Sequence, residues 1–437
     1  MSVEVLTLLF FGALVLFILL GLPLVFVLGG VSVVFLYFTW GIESFYMVSS
    51  QIYGSMGSFT LVAIPLYVFM AMILERTGVA RDLYHMMHLW FGGMRGGLAV
   101  GTLGICAIFA AMVGVSGAAV VAMGTIALPA MLQRGYDKRM ALGVINTGGG
   151  WGILIPPSIM MILYALISGV SVGKMFAAGI LPGLLLIVIT VLYVIIRSFL
   201  QPELAPALPA SERASWPEKF RAVRSVVLPV LVVVMVMGSI IGGLTTPTEA
   251  AAMGVLGALI SAAVYRQLSF SMVHEASIRT LKLTGMIAWI LFAAHAFSAA
   301  YQSMGAQQLI EGLMQLIPGG PWGIIIAMMI IVFLLGMVLD PLGIMLITLP
   351  VFLPIVDALG FDPIWFGILF VINMEIGYMT PPLGFNLFYL KAIVPPGITM
   401  KDIYASVIPF VLLEILAIII MMIFPQIVTY LPNLLFQ

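Results

Sequence analysis

Two short stretches combine the residue types that hold ions inside a membrane. The first reads Asn146-Thr147-Gly148-Gly149-Gly150-Trp151-Gly152-Ile153-Leu154-Ile155-Pro156-Pro157, the second Asn373-Met374-Glu375-Ile376-Gly377-Tyr378-Met379-Thr380-Pro381-Pro382. Interior glycines weaken a helix by roughly 1 kcal/mol each, and a proline pair removes two ladder donors. Each stretch is therefore expected to break a helix in mid-membrane. A break exposes carbonyls and hydroxyls that coordinate a desolvated cation, and positive half-helix N-termini that face an anion.

The other candidate groups are single ionisable side chains. Asp340, near the glycines Gly336 and Gly343, either joins a cation site or substrate path or caps the half-helix after Pro341. Glu375 lies inside the second stretch. Glu249, in Thr245-Thr246-Pro247-Thr248-Glu249-Ala250, follows a proline in a first helical turn, where a carboxylate suits the helix dipole and favours a structural role. His295 is the one histidine deep in an apolar run, and reads as a hydrogen-bonded core residue. Gly114-Val115-Ser116-Gly117 has the letters of the glycine-x-serine-glycine element of rhomboid-type intramembrane proteases, with His295 the only base on offer. That four-residue match is weak in a chain of 45 glycines, and no enzyme is expected.

Composition says what must position these groups. Of 437 residues 63% are hydrophobic and 8% charged, with 17 basic and 17 acidic side chains. A soluble domain carries about a quarter charged residues, so the bilayer is most of this chain's solvent. The zero net charge lacks the basic surface of nucleic-acid binders. The lone Cys106 excludes disulfide frameworks and cysteine-based metal centres. Residues 5–42 carry no charge and are punctuated by Gly21-Leu22-Pro23, which reads as two spans and a tight turn rather than a signal peptide. Roughly ten crossings fit the uncharged runs. Residues 201–224, with four prolines and most of the local charge, read as an aqueous linker between comparable halves.

The halves repeat. A shift of 225 residues places Leu128-Pro129 on Leu353-Pro354, Asp137 on Asp362, Gly152 on Gly377, Pro156-Pro157 on Pro381-Pro382 and Tyr164 on Tyr389. The loop after Pro129 carries Arg134, Lys138 and Arg139, whereas the loop after Pro354 has no basic residue, so the first is cytoplasmic and the second free to lie opposite. Inverted repeats follow, with both termini periplasmic. Residues 96–133 must then begin and end on one side, as a re-entrant hairpin with its tip at Gly114 to Gly117. Residues 321–358 form the mirror element with its tip near Gly336 to Gly343. Residues 80–89, 172–178 and 399–404 read as short helices at the membrane surface.

The fold class expected is thus all-α: a polytopic membrane protein with two inverted repeats, two re-entrant hairpins and two broken helices. In residues and motifs it resembles the large membrane subunit of tripartite ATP-independent periplasmic (TRAP) transporters, the DctM-like family. The resemblance rests on Val115-Ser116-Gly117-Ala118, Leu128-Pro129-Ala130-Met131, Gly152 to Ser158, Thr246-Pro247-Thr248-Glu249-Ala250, Gly360-Phe361-Asp362-Pro363 and Thr380-Pro381-Pro382-Leu383-Gly384, over essentially the whole chain. It implies sodium-driven, elevator-type import of a carboxylate across the bacterial inner membrane. It also implies a small DctQ-like membrane subunit and a periplasmic DctP-like binding protein as partners. Sodium (Na+) would lie at Ser116, Gly149, Gly152 and Ser158 in the first half and at Gly336, Gly377 and Thr380 in the second. No Arg or Lys lies in the core of either repeat, so substrate would be held by helix N-termini, Ser116, the amides of Asn146 and Asn373, and bound sodium, with Asp340 on its path. The transport domain is expected at 96–170 and 321–393. Residues 1–95, 171–320 and 394–437 would form the scaffold and its arms. A stand-alone sodium-coupled transporter of the divalent-anion type is the alternative.

Overall fold

A computed structural model describes residues 2–209, 213–224, 226–314 and 316–436; residues 210–212 of the expected linker and Ser225 just beyond it lie outside the described residues. Among the described residues the regular structure is helical, with no strand. The first half runs α1 (Val3–Leu19), α2 (Leu24–Trp40), α3 (Ser44–Met56), α4 (Phe59–Arg76), α5 (Val79–Phe91), α6 (Gly97–Val113), α7 (Ser116–Gln133), α8 (Lys138–Gly150), α9 (Ile159–Ser168) and α10 (Val172–Leu200). After α11 (Trp216–Arg224) come α12 (Val227–Ile241), α13 (Pro247–Val264), α14 (Phe270–Ser303), α15 (Ala306–Met314), α16 (Gly320–Gly336), α17 (Pro341–Ala358), α18 (Pro363–Tyr378), α19 (Phe385–Ile393), α20 (Met400–Ile423) and α21 (Gln426–Leu435).

Seven of these helices are long and apolar enough to cross a bilayer, and six more apolar helices have 10–17 residues. The count falls short of ten because each expected break divides a span into two short helices, α8 with α9 and α18 with α19. Apolar side chains remain exposed along α1, α2, α10, α14 and α20, the surface that a helical protein presents to lipid.

Local chemistry explains the ends. Asp137 and Asp362, matched by the 225-residue shift, both cap a helix. Asp137 accepts from the backbone of Arg139 and Met140 at 3.0 and 2.9 Å, and Asp362 from Ile364 at 2.7 Å. Thr246 and Glu249 form a reciprocal capping box at the start of α13, the structural role its position suggested.

Two expectations are corrected. Residues 172–178 and 399–404 are not separate surface helices but the first turns of α10 and α20, which run on through Pro182 and Pro409. The linker is not a free aqueous tether: Leu208 N donates to Gly92 O at 2.8 Å, Gly96 N to Ala205 O at 2.9 Å and Trp90 Nε1 to Lys219 O at 3.1 Å. Its apolar side chains give it a docking face on α5, with Trp90 against the rings of Trp216 and Phe220.

Two contacts set the direction of the central strips. The Lys138 ammonium meets the Asp402 carboxylate at 2.7 Å, joining the N-termini of α8 and α20. The Tyr164 hydroxyl of α9 donates to Pro363 O at 2.6 Å, joining the far end of the first strip to the start of α18. The strips α8–α9 and α18–α19 therefore begin at opposite ends of the molecule.

Helices α16 and α18 approach backbone to backbone at Gly336 and Gly377. A Cβ on Gly336 would sit 2.9 Å from Gly377 Cα, and one on Gly377 2.6 Å from Gly336 Cα. Gly336→Ala and Gly377→Ala are each expected to cost about 1–3 kcal/mol by overpacking. Gly12→Ala and Gly238→Ala, helical glycines facing open space, should be neutral or gain up to about 1 kcal/mol. Thermal midpoints of the four variants in one detergent test this, and a common shift would refute the close approach.

Candidate functional site

In the first half α6 stops at Gly114, whose φ of +65° is a left-handed conformation that suits glycine. Val115 is extended and α7 begins at Ser116. This tip rests on the first break. A Cβ on Gly152 would lie 2.9 Å from the carbonyl of Val115, and one on Gly114 2.9 Å from Pro157 O. Ser158 caps α9 and its hydroxyl donates to Ile153 O at 2.6 Å. Ser116, Gly149, Gly152 and Ser158 are thus gathered where one hairpin tip covers one break.

The three glycines before that break do something other than unwind it. Helix α8 continues through Gly150, a 3-10 turn follows over Trp151–Ile153, and the irregular backbone starts only at Leu154. Gly148 faces Cys106 of α6, Gly149 faces Val120 of α7 and Gly150 faces Glu375 of α18. Successive helical residues point about 100° apart, so three glycines admit three neighbours at once.

The second half repeats the plan with different chemistry. Helix α16 ends at Gly336, Asp340 is extended, and its carboxylate accepts from Gly343 N at 3.3 Å as the cap of α17. Met337 O accepts from Leu383 N at 3.2 Å and from Gly384 N at 3.4 Å, so this tip is bonded directly to the second break. Thr380 donates its hydroxyl to Ile376 O at 2.6 Å and its N–H to Gly377 O at 3.1 Å. Gly336, Gly377 and Thr380 are therefore together.

The halves meet across a cavity of about 570 Å³ lined by Val115, Ser116 and Gly117 of the first tip, Pro341 of the second, and Ile153, Met160, Tyr378 and Tyr389 flanking the breaks. The Ser116 hydroxyl donates to Asn386 Oδ1 of α19 at 2.8 Å, tying the first tip to the second half. The remaining wall carries Glu75 of α4 and Arg279 and Lys282 of α14. Nothing in the hairpins or breaks points to these cations, because they stand on helices outside both. The available signal was their spacing of three in a long helix, which puts both on one face. Arg279 also reaches Glu275 at 3.3 Å, itself paired with Arg76 at 2.5 Å.

Other expected substrate groups lie elsewhere. Asn373 donates to Met329 O at 2.5 Å and lines a separate apolar groove beside α16 and α20. Asn146 is fully buried on α8 and, among the described residues, neither of its amide atoms has a partner. Glu375 and Glu414 of α20 are fully buried, within electrostatic reach of each other, and have no hydrogen-bond partner among the described residues. His295 has no partner at Nε2 among the described residues and lines a different cavity, with Ser298 and Gln302. Since Ser116 and His295 line different cavities and Ser116 bonds to an amide, no serine–histidine pair forms.

The chain matches the family described as tripartite ATP-independent periplasmic transporter, DctM component, over residues 11–427. It is 34% identical to the ectoine TRAP transporter large permease protein TeaC of Halomonas elongata, over 96% of this chain and 97% of that one. It is 36% identical to the C4-dicarboxylate TRAP transporter large permease protein DctM of Pseudomonas aeruginosa, over 86% of each. Among solved structures its fold resembles the YdaH transporter of Alcanivorax borkumensis, with TM-score 0.62 and 16% identity over 88% of both chains. It also resembles MtrF of Neisseria gonorrhoeae, with TM-score 0.61 and 14% identity over 88% of this chain and 84% of that one. The helical fold, the family match and the relatives lead to one conclusion: the chain belongs to the DctM family of large TRAP transporter permease subunits, polytopic inner-membrane proteins that are transporters and not enzymes.

Proposed function

We propose that this chain imports a small organic acid, driven by sodium, by moving residues 96–170 and 321–393 as an elevator against the remaining helices. The observation that carries this reading is the convergence of both hairpin tips, both breaks and a pair of cations on one 570 Å³ cavity. The opposed directions of the two strips support an inverted repeat with both termini periplasmic. Since Arg76 and Arg81 mark the cytoplasmic side by the positive-inside rule, a cavity bordered by Glu75 and Arg279 is read as facing the cytoplasm. A small DctQ-like membrane subunit and a periplasmic DctP-like binding protein are the proposed partners. Ectoine and C4-dicarboxylates, named for the relatives, support a small carboxylate as the cargo.

The residues present fit sodium. Ser158 and Thr380 spend their hydroxyl protons on break carbonyls, leaving oxygen lone pairs, and the glycines at 149, 152, 336 and 377 bring backbone oxygens close without side chains between. Bound there, sodium would supply positive charge beside the cavity and offset the cost of carrying a carboxylate through a low-dielectric region. Ser116 at the N-terminus of α7 would orient the anion, and Arg279 and Lys282 would receive it on the cytoplasmic side.

Uptake of labelled organic acids into proteoliposomes holding the chain with its small subunit should require both the binding protein and an inward sodium gradient. Uptake indifferent to sodium overturns the cation sites, and uptake without the binding protein makes the chain a stand-alone anion transporter. Gly149→Leu, whose Cβ already meets Val120 backbone at 2.9 Å, and Thr380→Pro should abolish uptake while membrane insertion persists. Arg279→Gln and Lys282→Gln should each weaken the carboxylate's apparent affinity about fivefold, on the order of 1 kcal/mol. An unchanged KM for both removes the cations from the substrate path.

A further inference from the structure

A second polar cavity, of about 330 Å³, lies where the start of α8, the end of α10 and the start of α20 meet. Its wall holds two guanidiniums, Arg139 and Arg197, with Gln201, Tyr193 and the Asp137 carboxylate. The surrounding charges are largely committed. Lys138 is paired with Asp402 at 2.7 Å, and Asp137 caps α8. The Ser406 hydroxyl is spent on Ile403 O at 2.6 Å. Arg197 gives one N–H to the Tyr193 oxygen at 2.7 Å, which leaves its other donors and the tyrosine proton free. Arg139 and Gln201 have no side-chain partner among the described residues. Donors from α8 and the end of α10 therefore converge on a wall whose one carboxylate is Asp137.

The setting identifies the acceptor. The cavity stands at the end of two exposed apolar stripes at helical spacing, Leu184, Val188, Leu192 and Ile196 on α10 and Ile408 and Leu412 on α20. Tyr193 packs edge-on against Phe410, with centroids 5.5 Å apart, and bridges the two helices beneath it. A ligand matching both parts carries a phosphate at one end and hydrocarbon chains at the other. Guanidinium pairs suit phosphate oxygens through bidentate hydrogen bonds, and basic pockets between helix ends bind anionic headgroups.

We propose that Arg139 and Arg197 hold the phosphodiester of an anionic phospholipid, with its acyl chains along α10 and α20. A headgroup bearing an ammonium is disfavoured, because only Asp137 opposes two guanidiniums. The site lies on the helix that leads into the first break, so an occupied cavity braces the Lys138–Asp402 junction between α8 and α20.

The test is lipid retention by the full-length chain in detergent, read by native mass spectrometry with phosphatidylglycerol, phosphatidylcholine and phosphatidylethanolamine, beside Arg139→Gln/Arg197→Gln and the control Arg95→Gln/Arg266→Gln. Wild type and control should retain phosphatidylglycerol preferentially. The double variant should bind it roughly 30-fold more weakly, from about fivefold per arginine near the surface, with its lipid-free thermal midpoint unchanged. Equal retention by the double variant, or of phosphatidylcholine by wild type, overturns the proposal. Competition by soluble glycerol phosphate at the same concentration as the lipid would assign the cavity to a free phosphate and overturn the lipid. None of these readings depends on sodium or on transport.

Discussion

Hydrocarbon offers no hydrogen bonds, so every backbone group freed by a broken helix must be satisfied inside the protein. This constraint orders the whole centre of the molecule. A break is tolerable only where something polar covers it, and here each is covered by the tip of the hairpin from its own half. Met337 O takes the N–H groups of Leu383 and Gly384, and the first tip lies on Gly152 with no room for a methyl group. The hydroxyls of Ser158 and Thr380 then close carbonyls that the breaks release. Tip and break are one unit, held by backbone more than by side chains.

That unit explains why the chemistry is sparse in side-chain terms. The cavity between the tips takes Ser116 from one half and Tyr378 and Tyr389 from the other, and the bond from Ser116 to Asn386 spans 270 residues of sequence. Charge enters from outside the hairpins and the breaks, on α4 and α14. Such an arrangement keeps charge off the tips: uncharged backbone groups line the interior at modest cost, while the cations sit on the helices that border the cavity.

Much of this was legible in the sequence. Glycine and proline are punctuation for backbone, so the breaks, the hairpin tips at Gly114 and near Asp340, the turn before Leu24 and the structural role of Glu249 all follow from local rules. What depends on the rotation of one helix against another was not legible. Asn373 turns to Met329 rather than to the cavity, and Glu414 comes within electrostatic reach of Glu375 from a helix that gave no signal of its own. Arg279 and Lys282 reach the cavity only because α14 packs beside it. The glycine triplet was misread for a similar reason. Glycine weakens an isolated helix, but in a packed bundle it buys proximity, and α8 stays helical to Gly150 because three neighbours hold it there.

Gly150 and Glu375 carry this argument furthest. They are related by the same shift of 225 residues that superimposes the halves, and they touch: a Cβ on Gly150 would lie 2.6 Å from Glu375 Oε1. Two equivalent positions meet each other only near a two-fold axis, where a residue faces its own counterpart. Identical large side chains cannot both fit there, and two carboxylates would add repulsion to crowding. One position must be small for the other to be large, and glycine at 150 is what gives the Glu375 carboxylate its room in the interior.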